Sequence, residues 1–174
     1  ASNWDAIPKL VRLAAGWLLM LGVQAAGWKV NASGRHPAVG ASLHLIGSMM
    51  FLGNIALVGQ AYNLSSRFPD AIILWVAGIA PLAWILRSKA QWILSMTAFG
   101  VWMAAEMGES RSWFYFGSEV RQMLFFAMLG IGIYGGGAWL RRSAYPEFGE
   151  PTEKFGLLTL HIASFPLDIG FFYS

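Results

Sequence analysis

The chain has 174 residues, 56% of them hydrophobic and 15% aromatic, with only 12% charged and a net charge of +3. Soluble domains carry about twice that charged fraction, roughly 25%, so a water-soluble globular domain with this composition would expose large apolar patches and is excluded. The cations stand singly or in pairs in short connections, which reads as membrane orientation and contact with anionic lipid and not as a nucleic-acid surface.

The sequence opens Ala1-Ser-Asn-Trp-Asp-Ala-Ile-Pro8, without an initiator Met or the basic and apolar regions of a signal peptide. It stops in apolar sequence at Ser174, so further sequence is expected at both ends. Residues 10–28 are the first predicted span, close to the roughly 20 residues that cross a bilayer. Arg12 lies near one end, where its head can reach the headgroups, and Trp4 and Trp28 suit the interfaces. Residues 29–37, with Gly34 and Pro37 as breakers, read as a hydrophilic turn.

The second predicted span, 38–59, is rich in small residues, among them Gly40, Gly47, Ser48, Gly53 and Gly59. Small residues let helix backbones approach closely in lipid, so this helix is expected at the middle of the bundle. His44 and Asn54 are polar residues inside it, which makes both functional candidates by default. With a period of 3.6, His44, Gly47, Ser48 and Phe51 share a face. The favoured reading of His44 is a hydrogen bond to a neighbouring helix. Axial ligation of haem or chlorophyll, with His161 as the other candidate, is the less favoured one.

Residues 60–70 form a polar connection. Gln60, Tyr62, Asn63 and Asp70 are candidates for a polar binding mouth at one end of the bundle. The plainer reading is preferred: Asn63 with Ser65 or Ser66 caps a helix end, and Asp70 meets the first-turn amides of the next helix. Tyr62 and Trp75 are expected at headgroup level.

Residues 71–86 and 90–105 are two short spans, each about 24 Å long at 1.5 Å per residue. The basic link Arg87-Ser-Lys89 makes them an antiparallel hairpin, and Pro81 is expected to kink the first of the pair. Residues 106–121 read as a mixed connection with an aromatic belt, Trp113-Phe-Tyr-Phe116, at the interface. Glu106, Glu109 and Glu119 are read as solvated charges beside Arg111 and Arg121 and not as acid–base catalysts. The fifth span is 123–140, with Gly132 and Gly136 spaced to seat a neighbouring helix. Residues 144–154 read as a solvated loop, and 155–172 as a candidate sixth span weakened by Pro166 and Asp168.

The fold class expected is therefore all-α: one polytopic transmembrane bundle of five to six spans over residues 1–174. With these crossings, one side holds Lys29, Arg35, Arg87, Lys89, Arg141, Arg142 and Lys154, and the other holds Lys9, Arg12, Arg67, Arg111 and Arg121. The excess of cations on the first side places the 60–70 connection and the Ala1 end outside the cytoplasm.

The motif Asn3-Trp-Asp-x-Ile-Pro8, then Gln60-x-Tyr-Asn-Leu-Ser-x-x-x-Pro-Asp70, Leu74-Trp75 and Pro81-Leu-Ala-Trp-x-Leu-Arg87 resemble a bacterial family of multi-span inner-membrane proteins catalogued as a domain of unknown function. The resemblance covers about the first two thirds of the chain and fades after Trp102. It implies a short cytosolic segment and one further span before the Asn-Trp-Asp loop, and it carries no activity onto any residue.

There is no cysteine, H-E-x-x-H, Gly-x-Ser-x-Gly, P-loop or dinucleotide fingerprint, so neither a catalytic residue set nor a metal site is expected. The leading expectation is a non-enzymatic subunit or scaffold of a membrane assembly, without cofactor, whose partners are lipid and other membrane subunits or a second copy. A small-molecule or ion transporter using His44, Asn54 and the polar mouth is the alternative. A haem- or pigment-binding subunit of an electron-transfer complex is the third.

Overall fold

Apolar runs with no water to satisfy their amides must close their backbone hydrogen bonds internally, and the helix is the single-segment way to do so. The computed structural model describes residues 8–64, 67–107 and 119–172, with backbone alone at 119 and at 165–172. These residues form six helices: α1 (Lys9–Ser33), α2 (Pro37–Tyr62), α3 (Phe68–Leu86), α4 (Lys89–Met107), α5 (Glu119–Arg141) and α6 (Pro146–Phe172). Each of the six expected spans falls within one of them. Helices α1, α2, α3 and residues Val120–Arg141 of α5 are long and apolar enough to cross a membrane. Helix α4, which carries Lys89, Gln91 and Glu106, and α6, with three glutamates near its start, are not in that set.

Three connections are shorter than the sequence led us to expect. Lys29 to Ser33 continue α1, because no residue before Gly34 breaks it. Gly34 takes φ 66°, donates to the Asn31 carbonyl and ends the helix, and Pro37 opens α2 at its first position. Residues 146–154, expected as a loop, are the first turns of α6. Pro146 stands at the helix start, where its missing N–H costs nothing, and Lys154 pairs with Glu150 one turn back at 2.7 Å. Glu106, expected in a solvated turn, belongs to the last turn of α4 and is fully buried. The expectations for Trp4 and the Asn3–Asp5 motif, Ser65, Ser66, Glu109, Arg111 and 113–116 lie outside the described residues, as do the side chains of Glu119, Pro166 and Asp168.

The contacts divide into two units, Ala1–Trp102 and Met103–Ser174. In the first, Phe51 of α2 links three helices. Its ring meets Trp17 of α1 edge-on at 5.7 Å and lies against Gly78 of α3, where any side chain would displace it. Helix α3 runs through Pro81 without ending and closes at Arg87 in the left-handed region (φ 47°). The Arg87 and Ser88 amides donate to the carbonyls of Trp84 and Ala83, the bond pattern of a Schellman turn. Ser88 Oγ then accepts the Gln91 amide at 3.3 Å and caps α4. The tight basic link between α3 and α4 is therefore a two-residue turn, as expected. Helix α2 contacts α1, α3 and α4.

In the second unit, α5 and α6 meet backbone to backbone. Gly130 faces Gly156 and Gly137 faces Gly149, so that a methyl group at Gly137 would sit 2.6 Å from the Glu153 amide nitrogen. Seven residues separate the two glycines on each helix, close to two full turns, which keeps both on one stripe. The expected Gly132 and Gly136 pair faces open space. Gly132 stands about 200° around the helix from Gly130, at 100° per residue. Arg141 passes over Gly149 and pairs with Glu153 at 2.8 Å.

Candidate functional site

The polar residues of α1 and α2 meet in a register set by glycine. Asn54 of α2 packs on Gly16 of α1 and donates from Nδ2 to the Gly16 carbonyl at 3.2 Å. Gln24 of α1 packs on Gly47, His44 of α2 on Gly27, and Asn31 of α1 on Gly40. The pairs climb one helix as they descend the other, so the helices are antiparallel. Each polar side chain occupies the gap opposite a residue that has none. The spacings, three, four, seven and eight residues, are those of one helix face.

His44 is 4% exposed. Its Nδ1 lies 2.6 Å from Gln24 Oε1, and Gln24 Nε2 donates to the His44 carbonyl at 3.5 Å. A carboxamide oxygen only accepts, so Nδ1 carries a proton and donates it. Nε2 has no hydrogen-bond partner among the described residues. The expected interhelical hydrogen bond of His44 is present, and its partner is Gln24.

A second buried network centres on Ser48 of α2. Trp75 Nε1 of α3 donates to the Ser48 carbonyl at 2.7 Å, and Gln91 Nε2 of α4 donates to Ser48 Oγ at 2.7 Å. Ser95 Oγ closes onto the Gln91 carbonyl at 3.0 Å. Ser48, Gln91 and Ser95 are all at most 2% exposed. Trp75 was expected as a headgroup anchor. It is instead buried, because its indole N–H is needed by the carbonyl that Ser48 presents.

The polar end of α2 is organised differently from the expected mouth. Asn63 ends the helix by its backbone, at φ 50° and ψ 44°, with its own amide and that of Leu64 donating to the Gln60 and Gly59 carbonyls. Capping by the Asn63 side chain is not what the turn uses; asparagine serves because it tolerates the left-handed region. Asp70 does not meet the first-turn amides of α3. Its carboxylate accepts from Arg67 at 2.8 Å, and α3 has no side-chain cap. Tyr62 is exposed.

Of the four mouth residues, Gln60 and Asn63 come together. They line a cleft of about 370 Å³ with the cations Lys9 and Arg12 of α1 and the apolar Leu13, Leu57 and Ala61. His44 and Asn54 share the α1-facing side of α2. His161 is exposed on α6, in the other unit. Sequence reading passed over Gln24, Asn31, Gln91, Lys9 and Arg12 as site residues. A signal for the first two was present, since Gln24 and Asn31 are the uncharged amides of α1 and stand seven residues apart. Nothing in the local sequence marks Gln91.

The comparisons agree with this picture at the level of class. The family described as predicted membrane protein, DUF2157, matches residues 1–92, more than half of the 174, and the chain belongs to that family. The match ends just past the α3–α4 turn. No curated protein matches the chain, and no solved structure does.

Proposed function

We propose that this member of the family is a non-enzymatic subunit or scaffold of an assembly in the bacterial inner membrane, with its Ala1 end on the non-cytoplasmic side. The observation that carries the reading is how the buried polar side chains of α1–α4 are engaged. Asn54 is bound to Gly16, His44 to Gln24, and both Trp75 and Gln91 to Ser48. Intramembrane polar groups that serve transport or proton relay line a path or pair with a moving charge. These groups instead hold helices against one another. Open glycine faces at Gly132, Gly135 and Gly136 leave a surface on α5 that another membrane helix can approach closely.

Purification in mild detergent followed by native mass measurement and a visible absorption spectrum tests this. A mass above that of the single chain, with no pigment band, is expected. A monomer both in detergent and in lipid discs would remove the scaffold reading, and a haem or chlorophyll band would transfer His44 to the role of ligand.

A further inference from the structure

Helix α6 has an inner and an outer side. Gly149, Glu153 and Gly156 lie on the inner side, against α5. His161 stands about 140° round the helix from Gly156, at 100° per residue. Leu157, Leu158 and Ile162 flank it there, each more than half exposed. The His161 ring is exposed with them and has no hydrogen-bond partner among the described residues. Ser164, also on this side, spends its hydroxyl on the His161 carbonyl at 2.8 Å and not on the ring.

Contact with α5 fixes the level of the ring. Gly156 faces Gly130 and Gly149 faces Gly137, so the two helices are antiparallel and each step up one is a step down the other. His161 is therefore level with about Phe125 of α5. That level lies inside the Val120–Arg141 stretch, which is long and apolar enough to cross a membrane, and about 7.5 Å from its nearer end at 1.5 Å per residue. A lysine could snorkel that far, but an imidazole on a single methylene cannot. Polar side chains at such a level turn towards another protein element and not towards lipid.

We infer that this side of α6 is an interface between two copies of the chain, centred on His161, with one imidazole hydrogen-bonded to the other. The ring itself selects the occupant. A neutral imidazole carries one donor nitrogen and one acceptor nitrogen, so it complements its own counterpart, as a lysine or a carboxylate at this position would not. A two-fold axis along the membrane normal presents the same patch of both copies to each other. Leu157, Leu158 and Ile162 of each copy then pack around the pair and keep lipid from it, and the small Ser164 lets the helices approach. The inference rests on the assembly reading above and names one of its contacts.

The chain has no cysteine, so donor and acceptor dyes can be placed on the full chain through Ser33→Cys and their energy transfer followed in lipid vesicles as lipid is added. The wild type is expected to associate with itself. His161→Leu should weaken that association roughly 3- to 20-fold, the loss of one interhelical hydrogen bond in lipid. His161→Asn, which keeps a donor and an acceptor, should retain most of it. As a second readout, Ser164→Cys should crosslink copy to copy under mild oxidation, and less so when combined with His161→Leu. Association that His161→Leu leaves unchanged, or no Ser164→Cys crosslink, overturns this interface while the assembly reading stands on another face. A second protein that copurifies and is lost in His161→Leu gives the face to that partner, and a visible pigment band lost in His161→Leu makes the ring a ligand; either overturns the two-copy interface. No association of any kind overturns both readings.

Discussion

Gly47 and Gly53 lie on the same helix, six residues apart, and the structure gives them opposite roles. A methyl group at Gly47 would sit 2.7 Å from Gln24 Cδ and Nε2, whereas nothing lies within 4 Å of one at Gly53. Gly47→Leu must therefore displace Gln24, and Gln24 is the side chain that holds His44 Nδ1 at 2.6 Å. Overpacking costs about 1–3 kcal/mol. Loss of an interhelical hydrogen bond in a membrane protein adds roughly 0.6–1.7 kcal/mol, partly the same energy because one movement causes both. Against this stands the gain in helix propensity on replacing glycine, about 0.8 kcal/mol. The net expected for Gly47→Leu is a loss of about 1–3 kcal/mol. For Gly53→Leu only the propensity term remains, so its stability should be unchanged or raised by up to about 0.8 kcal/mol. Equilibrium unfolding in mixed micelles measures both. If Gln24 is the route, Gly47→Leu should cost less in a Gln24→Ala background, with a coupling of at least about 0.5 kcal/mol. Equal effects of the two leucines, or strict additivity in the Gln24 cycle, would refute the packing argument.

Two further outcomes follow from single residues. Asn63→Gly should match or exceed the wild type in stability, while Asn63→Ala should lose about 1 kcal/mol, because the position demands φ 50° and not a side-chain hydrogen bond; thermal unfolding that ranks alanine above glycine would restore the side-chain cap. In the other unit, Gly137→Leu meets backbone atoms that cannot move aside and should disrupt the α5–α6 pair, while Gly136→Leu faces open space and should not. A cysteine crosslink between these helices, scored in both variants, separates them.

The sequence disclosed class and helix positions because lipid imposes a crude code: long apolar runs, with cations in the gaps. It disclosed His44 and Asn54 as polar residues inside a span for the same reason. Helix ends were less legible. The extent of α1 depends on Gly34 alone, and Lys29, Asn31 and Ser33 are as compatible with a helix as with a turn. The contacts between α5 and α6 were not legible in the four-residue spacing of Gly132 and Gly136, because the face used there repeats every seven residues, through Gly130 and Gly137. Gln60 and Asn63 do line a cleft, but its cations come from α1, some fifty residues away in sequence, and only the antiparallel register of α1 and α2 brings them there.

That register has a physical cause that also explains why amides and glycines alternate between the two helices. Lipid supplies no hydrophobic drive for helices to associate, so packing and hydrogen bonds must supply it. Between α5 and α6 the backbones touch, and no side chain fits between Gly137 and Gly149. Between α1 and α2 the gap is one side chain thick, and it is filled from alternate sides by Asn54, Gln24, His44 and Asn31. Sliding α2 by one turn would move each polar group off its glycine and onto the bulk of a neighbouring residue. Asn54 and His44 would lose their partners where no water replaces them, at up to about 1.7 kcal/mol for each hydrogen bond. Dispersion alone would tolerate several registers of two small-residue helices. The amides select one, and that same register sets Gln60 and Asn63 beside Lys9 and Arg12.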